Sequence, residues 1–498
     1  MKIHFVFSPP NIQPRLGDMV EGMLPPMGIM YLASYLRATH NDLQLEIRAT
    51  DGLVRNLEQT FSEVRAFAPD ILCVSHLTAA SLGAYELIAM AKREKPDLIV
   101  ITGGPHSSAL PEDVLERSVA DVVVIGEGEV TLSELVRIVA REGKLNPADL
   151  EAVSGIAFRD AAGGIQRTST RPYADLDSLT FPARDILPRE DYHGYYLAKR
   201  RPAAPMMISR GCPADCVFCA NGHWKLCKPY VRVRSPKNVV DEMEQLRELG
   251  YREVQDMGDE LNNNVKNAVA ICEEMLSRRM DLSWITCLRA HPLSDELVQL
   301  MARSGCWLVN LGIESGNPET LRGIGKNVTK QQIEDACRLL QKHGIKVQGL
   351  LMLFNVWESD DHLQYESVAM TENTLRFAEK LVDQRLVDYI GWSITTPYPG
   401  SELYDIACRH NLIKPRLRGN WDGWVRDDPF VMELPGISRA DMAGLKRRGS
   451  IIRAKCMLKG GQVSFRDLPL LCKKATKVLM TELAARLGSL NLLQRSQR

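Results

Sequence analysis

The 498-residue chain has no excess of either charge, since 62 basic residues offset 62 acidic ones. Nucleic acid selects for a basic surplus, so composition gives no global case for such a partner. Long apolar runs are also missing. Crossing a bilayer takes roughly 20 consecutive apolar residues, and no segment supplies them. No secretory leader is expected, because Met1-Lys-Ile-His-Phe-Val-Phe runs straight into a strand pattern. The cytoplasm is therefore the expected compartment. Acid is scarce in one place: beyond Asp441 only Asp467 and Glu482 are acidic. Lys446, Arg447, Arg448, Arg453, Lys455, Lys459, Lys473, Lys474 and Lys477 face them in number. That bias suits a solvated helical face, or a weak contact of basic C-terminal helices with a membrane surface or another subunit. A hydrophobic content of 45% over this length implies two or three domains with ordinary cores.

What is present in quantity is cysteine, with twelve residues. A reducing compartment argues against disulfides. Nine of the twelve lack paired metal-site spacing and are expected to be buried or incidental. The other three stand together in Cys212-Pro-Ala-Asp-Cys216-Val-Phe-Cys219. Spacings of four and three residues let a short loop ligate three irons of a cubane iron–sulfur cluster. The fourth iron is then open to a small molecule. A zinc site is the alternative, with His223 or Cys227 as its fourth ligand.

Residues 1–145 alternate strand and helix patterns. Strands are predicted at Lys2–Phe7, Leu45–Ala49, Asp70–Ser75, Leu98–Thr102 and Val122–Ile125, with helices between and after them. Such alternation predicts a doubly wound, Rossmann-like parallel sheet that binds ligands at its carboxyl edge. Ser75-His-Leu-Thr78, Gly103-Gly-Pro-His106 and Gly126-Glu-Gly-Glu129 lie on that edge. Residues 146–200 form a connector with a β-hairpin around Asp160-Ala-Ala-Gly-Gly164. Residues 201–400 repeat a strand–helix unit six times, and chemistry in βα barrels sits at the carboxyl ends of the strands. Gly258-Asp-Glu260, Arg289, Glu314-Ser315 and Thr396-Pro-Tyr-Pro-Gly400 occupy those ends. Residues 401–498 read as helical. Within them Asn420-Trp-Asp-Gly-Trp424 suits a cover for the barrel mouth or a packing corner.

The cysteine loop, with Phe218 in its aromatic slot, resembles the signature of the radical S-adenosylmethionine (SAM) superfamily. Residues 1–145 resemble the cobalamin-binding domain that precedes many such barrels. Thr102-Gly-Gly-Pro-His106 and Ala120-Asp-Val-Val-Val-Ile-Gly-Glu-Gly-Glu129 carry that likeness. The resemblance implies an open six-stranded partial barrel, a [4Fe-4S] cluster on Cys212, Cys216 and Cys219, SAM chelated by the open iron, and cobalamin. It assigns SAM contacts to Phe218, Asp259, Glu260, Arg289, Glu314 and Ser315. Cobalamin contacts fall to Ser75, Thr78, Gly103, Gly104, Pro105, Gly126, Glu127 and Gly128. Two departures stand out. Asp259 replaces a glycine of the family's Gly-Gly-Glu motif, and Leu353-Phe-Asn-Val-Trp-Glu358 replaces a Gly-x-Pro-Gly-Glu turn. The Asp-x-His-x-x-Gly motif that gives cobalt a histidine is absent from residues 1–145. Asp191-Tyr-His193 and Asp360-Asp-His362 mimic only its start. Neither His76 nor His106 is expected to ligate cobalt. The cobalt face is expected near Gly126-Glu127-Gly128 or the Ser8–Leu24 loop.

In enzymes of this kind a 5′-deoxyadenosyl radical removes hydrogen from an unactivated carbon. Methylcobalamin then methylates that carbon, and a second SAM restores the donor. The implied partners are a small-molecule substrate and an external electron donor such as flavodoxin or ferredoxin. Two other functions fit the same residues: a radical cyclisation, oxidation or rearrangement without methyl transfer, and a non-catalytic corrinoid sensor. The intact cysteine triad argues against the sensor.

Overall fold

β-Branched runs such as Val122-Val-Val124 favour buried parallel strands, and they build the first sheet. The computed structural model describes residues 1–10, 24–192, 194–421, 423–424 and 431–460. Its first sheet contains β1 (Lys2–Phe7), β2 (Glu46–Asp51), β3 (Ile71–Ser75), β4 (Ile99–Gly103), β5 (Val122–Val124), β6 (Ile156–Arg159) and β7 (Ile165–Arg167). Their order is β2-β1-β3-β4-β5-β6-β7. The first five are parallel, in register as Phe5 beside Cys73 and Thr102 beside Val123. The hairpin β6–β7 is antiparallel and extends the sheet from β5 through Val123–Ala157, so it adds to the sheet rather than standing alone in the connector. Helices α1 (Met27–Thr39), α2 (Leu57–Phe67), α3 (Ser81–Glu94), α4 (Pro105–Ala109), α5 (Pro111–Arg117), α6 (Glu129–Glu142) and α7 (Pro147–Leu150) complete this part. Asn56 and Gln59 start α2 with a reciprocal capping box.

The second sheet is a partial barrel of six parallel strands. In order they are β8 (Ala203–Met206), β11 (Glu253–Asp256), β12 (Ser283–Leu288), β13 (Cys306–Glu314), β14 (Lys346–Leu353) and β17 (Tyr389–Ile394). The short pair β9 (Ser209–Arg210) and β10 (Arg232–Val233) frames the cysteine loop. Helices α8 (Pro236–Glu248), α9 (Val265–Ser277), α10 (Asp295–Arg303), α11 (Pro318–Gly323), α12 (Lys330–Lys342) and α13 (Val368–Asp383) return the chain between strands. The segment after β14, which departs from the family turn, forms the hairpin β15 (Val356–Ser359) and β16 (His362–Tyr365). An α/β chain with a first sheet whose five leading strands are parallel, followed by a parallel partial barrel, is the expected architecture.

One apolar core joins the two halves, holding Val74, Val100 and Val123 of the first sheet together with Val217, Val254 and Val309 of the barrel. A second core, with Phe5, Ile29, Leu36, Leu132 and Phe158, fills the other face of the first sheet. After the barrel come α14 (Glu402–Arg409) and α15 (Arg439–Lys459), which packs on α13 and β17. Trp421 and Trp424 prove to be a packing corner. Trp421 stacks edge-on against His106 at 4.8 Å, and its Nε1 donates to Asp113 at 2.9 Å. The basic side chains of α15 are partly neutralised: Arg448 pairs with Glu372, and Lys455 with Glu379 and Asp383, each at 2.9 Å for Lys455. Lys473, Lys474, Lys477 and the remainder of 461–498 lie outside the described residues, as do residues 11–23, His193 and Asp422. Among the described residues no helix is long and apolar enough to cross a membrane.

Candidate active site

The cysteine loop follows β9 and is fastened from several sides. Gly211 has φ +91°, and any side chain there would run into the Tyr230 carbonyl at 2.0 Å, so only glycine serves. Its N–H donates to Asp259 Oδ2 at 2.7 Å, and Asn221 Nδ2 donates to Asp259 Oδ1 at 2.5 Å. Val217 N–H donates to the Ile324 carbonyl at 3.0 Å, and Leu403 N–H to the Val217 carbonyl at 2.9 Å. Lys225 Nζ donates to the Ala214 carbonyl at 2.5 Å. The three thiols are thus presented by a fixed backbone. Burial raises the pKa of Cys212 and Cys216 and pushes that of Cys219 up to about 12. Ligation by iron would have to displace those protons. Phe218 packs against the core beside them.

The zinc alternative fits the geometry poorly. Among the described residues no group of three or more His, Cys, Asp or Glu side chains could hold one metal ion. Cys227 Sγ turns away to the Arg171 carbonyl at 3.7 Å, and His223 Nδ1 lies 3.0 Å from the Ala220 carbonyl. Three thiols without a fourth protein ligand suit a cluster with one open iron.

Next to the thiols lies a nest of buried charge. Lys326, only 3% exposed, sits 3.2 Å from Glu314 Oε1 and 3.6 Å from Glu260 Oε1. Burial works to lower its pKa, but the Glu314 and Glu260 carboxylates outweigh it and hold the ammonium charged. Glu260 also approaches Arg289 Nη1 at 3.8 Å and the Cys212 thiol at 3.8 Å. Arg289 Nη2 donates to the Lys326 carbonyl, while its buried Nη1 has no hydrogen-bond partner. An orphaned guanidinium nitrogen near the Glu260 carboxylate and the Cys216 thiol fits an anionic group of a ligand, such as an amino-acid carboxylate. Glu314 itself adopts φ +59°, a strained conformation of the kind found at functional sites.

Two residues assigned from sequence turn elsewhere. Asp259 spends both carboxylate oxygens on Gly211 and Asn221, so it holds the cysteine loop. Ser315 Oγ donates to buried Glu366 at 2.6 Å and lies 3.0 Å from Thr374 Oγ1, inside a network behind Glu314. Sequence reasoning missed Lys326 and Asp256. Asp256 is buried; its Oδ1 accepts from Gly258 N–H at 2.8 Å and Ile208 N–H at 3.2 Å, and its Oδ2 from Thr286 at 2.9 Å. It therefore shapes the turn that carries Glu260. The turn Gly323-Ile-Gly-Lys326 was the available signal for Lys326.

At the carboxyl edge of the first sheet lies a cavity of about 310 Å³. Ser75, Gly103, Gly104, Pro105, Gly126, Glu127 and Gly128 line it, over apolar walls that include Phe5, Ile29 and Leu132. Ser108 Oγ accepts from Gly126 N–H at 2.9 Å and ties two of the edge loops. A flat heteroaromatic group of a large cofactor fits such walls, and the glycines let it approach the backbone. Thr78 is not among the lining residues; its Oγ1 lies 3.1 Å from His106 Nδ1. Neither His76 nor His106 reaches the cavity. His76 is bound through Nε2 to Ser107 at 2.9 Å and through Nδ1 to Ser81 at 3.3 Å. The other face of the cavity is roofed by Met207, Arg210, His223 and Trp224 of the second half.

The two halves meet in a buried ion cluster. Arg210 Nη1 lies 2.9 Å from Glu127 and Nη2 lies 2.7 Å from Glu129. Arg232 reaches Glu127 at 2.6 Å. All four side chains are less than a tenth exposed. Burial alone would raise the pKa of Glu129, and the Arg210 charge more than reverses it.

Comparison with known proteins agrees with both halves. The chain matches the B12 binding domain over residues 16–136 and the Radical SAM superfamily over residues 206–365. An uncharacterized methyltransferase of Pyrococcus horikoshii is 31% identical over 469 residues, covering 92% of this chain and 94% of that protein. An anaerobic magnesium-protoporphyrin IX monomethyl ester cyclase of Rubrivivax gelatinosus is 29% identical, covering 78% of this chain and 67% of its own. Among solved structures, the cobalamin-dependent SAM radical enzyme OxsB with aqua-cobalamin bound superposes with TM-score 0.65 at 19% identity, over 91% of this chain and 66% of that one. The radical SAM methyltransferase TsrM of Kitasatospora setae gives 0.64 at 17% identity, over 94% and 90%. These two share the fold.

Proposed function

We propose that this chain, which belongs to the cobalamin-dependent radical SAM enzymes, transfers a methyl group to an unactivated carbon of a small-molecule substrate. Its cofactors are a [4Fe-4S] cluster, SAM and cobalamin. When bound, they supply a hydrogen-abstracting carbon radical and a methyl donor. The observation that carries the reading is the shared wall between the two sites. Arg210 lines the cavity at the first sheet and is followed directly by Gly211-Cys212 of the cysteine loop.

In this reading Cys212, Cys216 and Cys219 hold the cluster, and Asp259 and Asn221 keep their loop in shape. Glu260 accepts from the SAM ammonium, Glu314 from the ribose hydroxyls, and Arg289 Nη1 pairs with the SAM carboxylate. Lys326 sits between both carboxylates, 3.2 Å from Glu314 and 3.6 Å from Glu260. Ser75, Gly103, Gly104, Gly126 and Gly128 cradle cobalamin. Glu127 contributes through Arg210 and Arg232 as well as through the cavity wall. Burial of Glu314, Lys326 and Arg210 would help to keep water from the chemistry the bound cofactors supply. A reductant must be supplied; we assign that to flavodoxin or ferredoxin in the cytoplasm.

Similarity to the Rubrivivax gelatinosus cyclase favours a second reading, radical cyclisation or oxidation without methyl transfer. One experiment separates them. The reconstituted, reduced protein is incubated without oxygen with methyl-labelled SAM and fractionated cell extract. Methyl transfer yields a labelled small molecule, 5′-deoxyadenosine, methionine and S-adenosylhomocysteine. Formation of 5′-deoxyadenosine without S-adenosylhomocysteine would assign the second reading. Absence of any 5′-deoxyadenosine would revive the corrinoid sensor.

A further inference from the structure

His223 entered as a possible zinc ligand, and its position points to another partner. Among the described residues it is the one histidine that lines the cavity. It comes from the barrel half, four residues beyond Cys219. Its Nδ1 lies 3.0 Å from the Ala220 carbonyl oxygen, an acceptor only, so Nδ1 carries the proton and donates. In the neutral ring Nε2 then keeps its lone pair and can only accept. Burial lowers the pKa of the ring and so favours this neutral form.

The ring is also held still. Its plane leans on Trp224 with ring centres 4.6 Å apart, and the Tyr173 hydroxyl donates to the His223 carbonyl at 2.9 Å. No described side chain or backbone donor meets Nε2. A fixed acceptor on the cavity wall lacks only its donor.

We infer that His223 is a cobalamin-binding residue supplied by the barrel half, its Nε2 accepting a hydrogen bond from an amide or hydroxyl of the cofactor. The inference rests on the reading that this cavity takes cobalamin. It differs from the histidine ligation considered for His76 and His106, because it asks for a contact and not for a bond to cobalt. It also makes the cofactor a bridge, touched by strand ends of one half and by the loop behind the cluster of the other.

The test is equilibrium binding of aquacobalamin, followed by absorbance, to the full chain with its cluster reconstituted. His223→Phe keeps a ring against Trp224 and removes the acceptor. Loss of one hydrogen bond predicts affinity about three- to tenfold weaker. His223→Gln, with an acceptor oxygen of its own, should recover part of that loss. Iron content and SAM binding should match the parent protein in both variants. Parent-like affinity in His223→Phe would overturn the inference. So would a parallel loss of iron, which would make the residue a support of the cysteine loop. If the unaltered protein bound no aquacobalamin, the reading of the cavity itself would fall, and the variants would not be needed to see it.

Discussion

Replacing Gly325 by alanine tests whether the turn after α11 props the cysteine loop. Gly325 has φ +69°, and a methyl group there would lie 2.3 Å from the Asp215 carbonyl oxygen, inside the loop. Real contacts of this type stay beyond 3.0 Å, so the loop backbone must yield by at least 3.0 − 2.3 = 0.7 Å. That shift falls where Val217 N–H meets the Ile324 carbonyl at 3.0 Å and the Cys216 thiol meets the Gly325 carbonyl at 3.7 Å. The left-handed backbone costs alanine about 1 kcal/mol. Losing or stretching those bonds adds about 1–2 kcal/mol. Gly344 provides the control, with φ +73° and nothing within 4 Å of an added methyl. Gly344→Ala should therefore lose only the conformational part, about 1 kcal/mol. Two assays read the difference: the urea midpoint of the apoprotein, and iron per chain after anaerobic reconstitution. Gly325→Ala should show the lower midpoint and a marked loss of iron, while Gly344→Ala keeps its iron. Equal midpoints and equal iron in the two variants would refute the reasoning.

Cys216→Ala should abolish SAM cleavage with the fold largely kept, because two thiolates hold a cluster poorly; a full cluster absorbance spectrum in the variant would remove the central assignment. Glu314→Gln should weaken SAM binding with iron unchanged, since Lys326 retains Glu260 at 3.6 Å; unaltered SAM affinity would return Glu314 to a merely structural role. His106 is held neutral by burial with its pKa lowered to about 3, from an ordinary value near 6.5. A depressed folded pKa stabilises above 6.5, and that stability is lost as pH falls toward 3, by about 1.4 kcal/mol per pH unit. His106→Gln should accordingly show a shallower fall in urea midpoint between pH 6.5 and 5; parallel slopes would argue against it. Both nitrogens of His76 and of His106 are hydrogen-bonded within the protein, so paramagnetic resonance of the cob(II)alamin form should not change its nitrogen splitting in His76→Ala or His106→Ala.

The sequence was most legible where chemistry depends on spacing along the chain. The cysteine triad, the strand-end glycines and the six strand–helix repeats all have a local period that survives without coordinates. It was least legible where one side chain chooses between partners from distant segments. Asp259 stands three residues past Asp256, just beyond a strand end, and looks like a ligand-binding carboxylate, yet Gly211 and Asn221 claim both its oxygens. Lys326 sits on no strand, and only the fold delivers it between Glu260 and Glu314. Ser315 adjoins Glu314, but the left-handed turn of the backbone at Glu314 comes between them, and the serine joins Glu366. The hairpin at Asp160–Gly164 was readable as a hairpin. Its pairing with β5 depends on an edge that sequence does not display.

The ion cluster at the seam fixes the two halves against each other beside the cavity. Apolar contact between the halves is extensive, but such contact tolerates sliding. Arg210 does not. It carries Glu127 of the loop that edges the cavity on one nitrogen and Glu129, the first residue of α6, on the other, and Arg232 closes the set from the strand paired with its own. Two acids and two bases balance, so the cluster is buried without net charge. Removing one member of such a buried set typically costs about 3–5 kcal/mol, because the remaining charge is stranded. The next residue after Arg210 is Gly211, whose N–H is fixed by Asp259. A displacement of the cavity edge must therefore either break buried ion pairs or move the cysteine loop with it. Arg210 thus ties the edge of the cavity to the strand that leads into the cysteine loop.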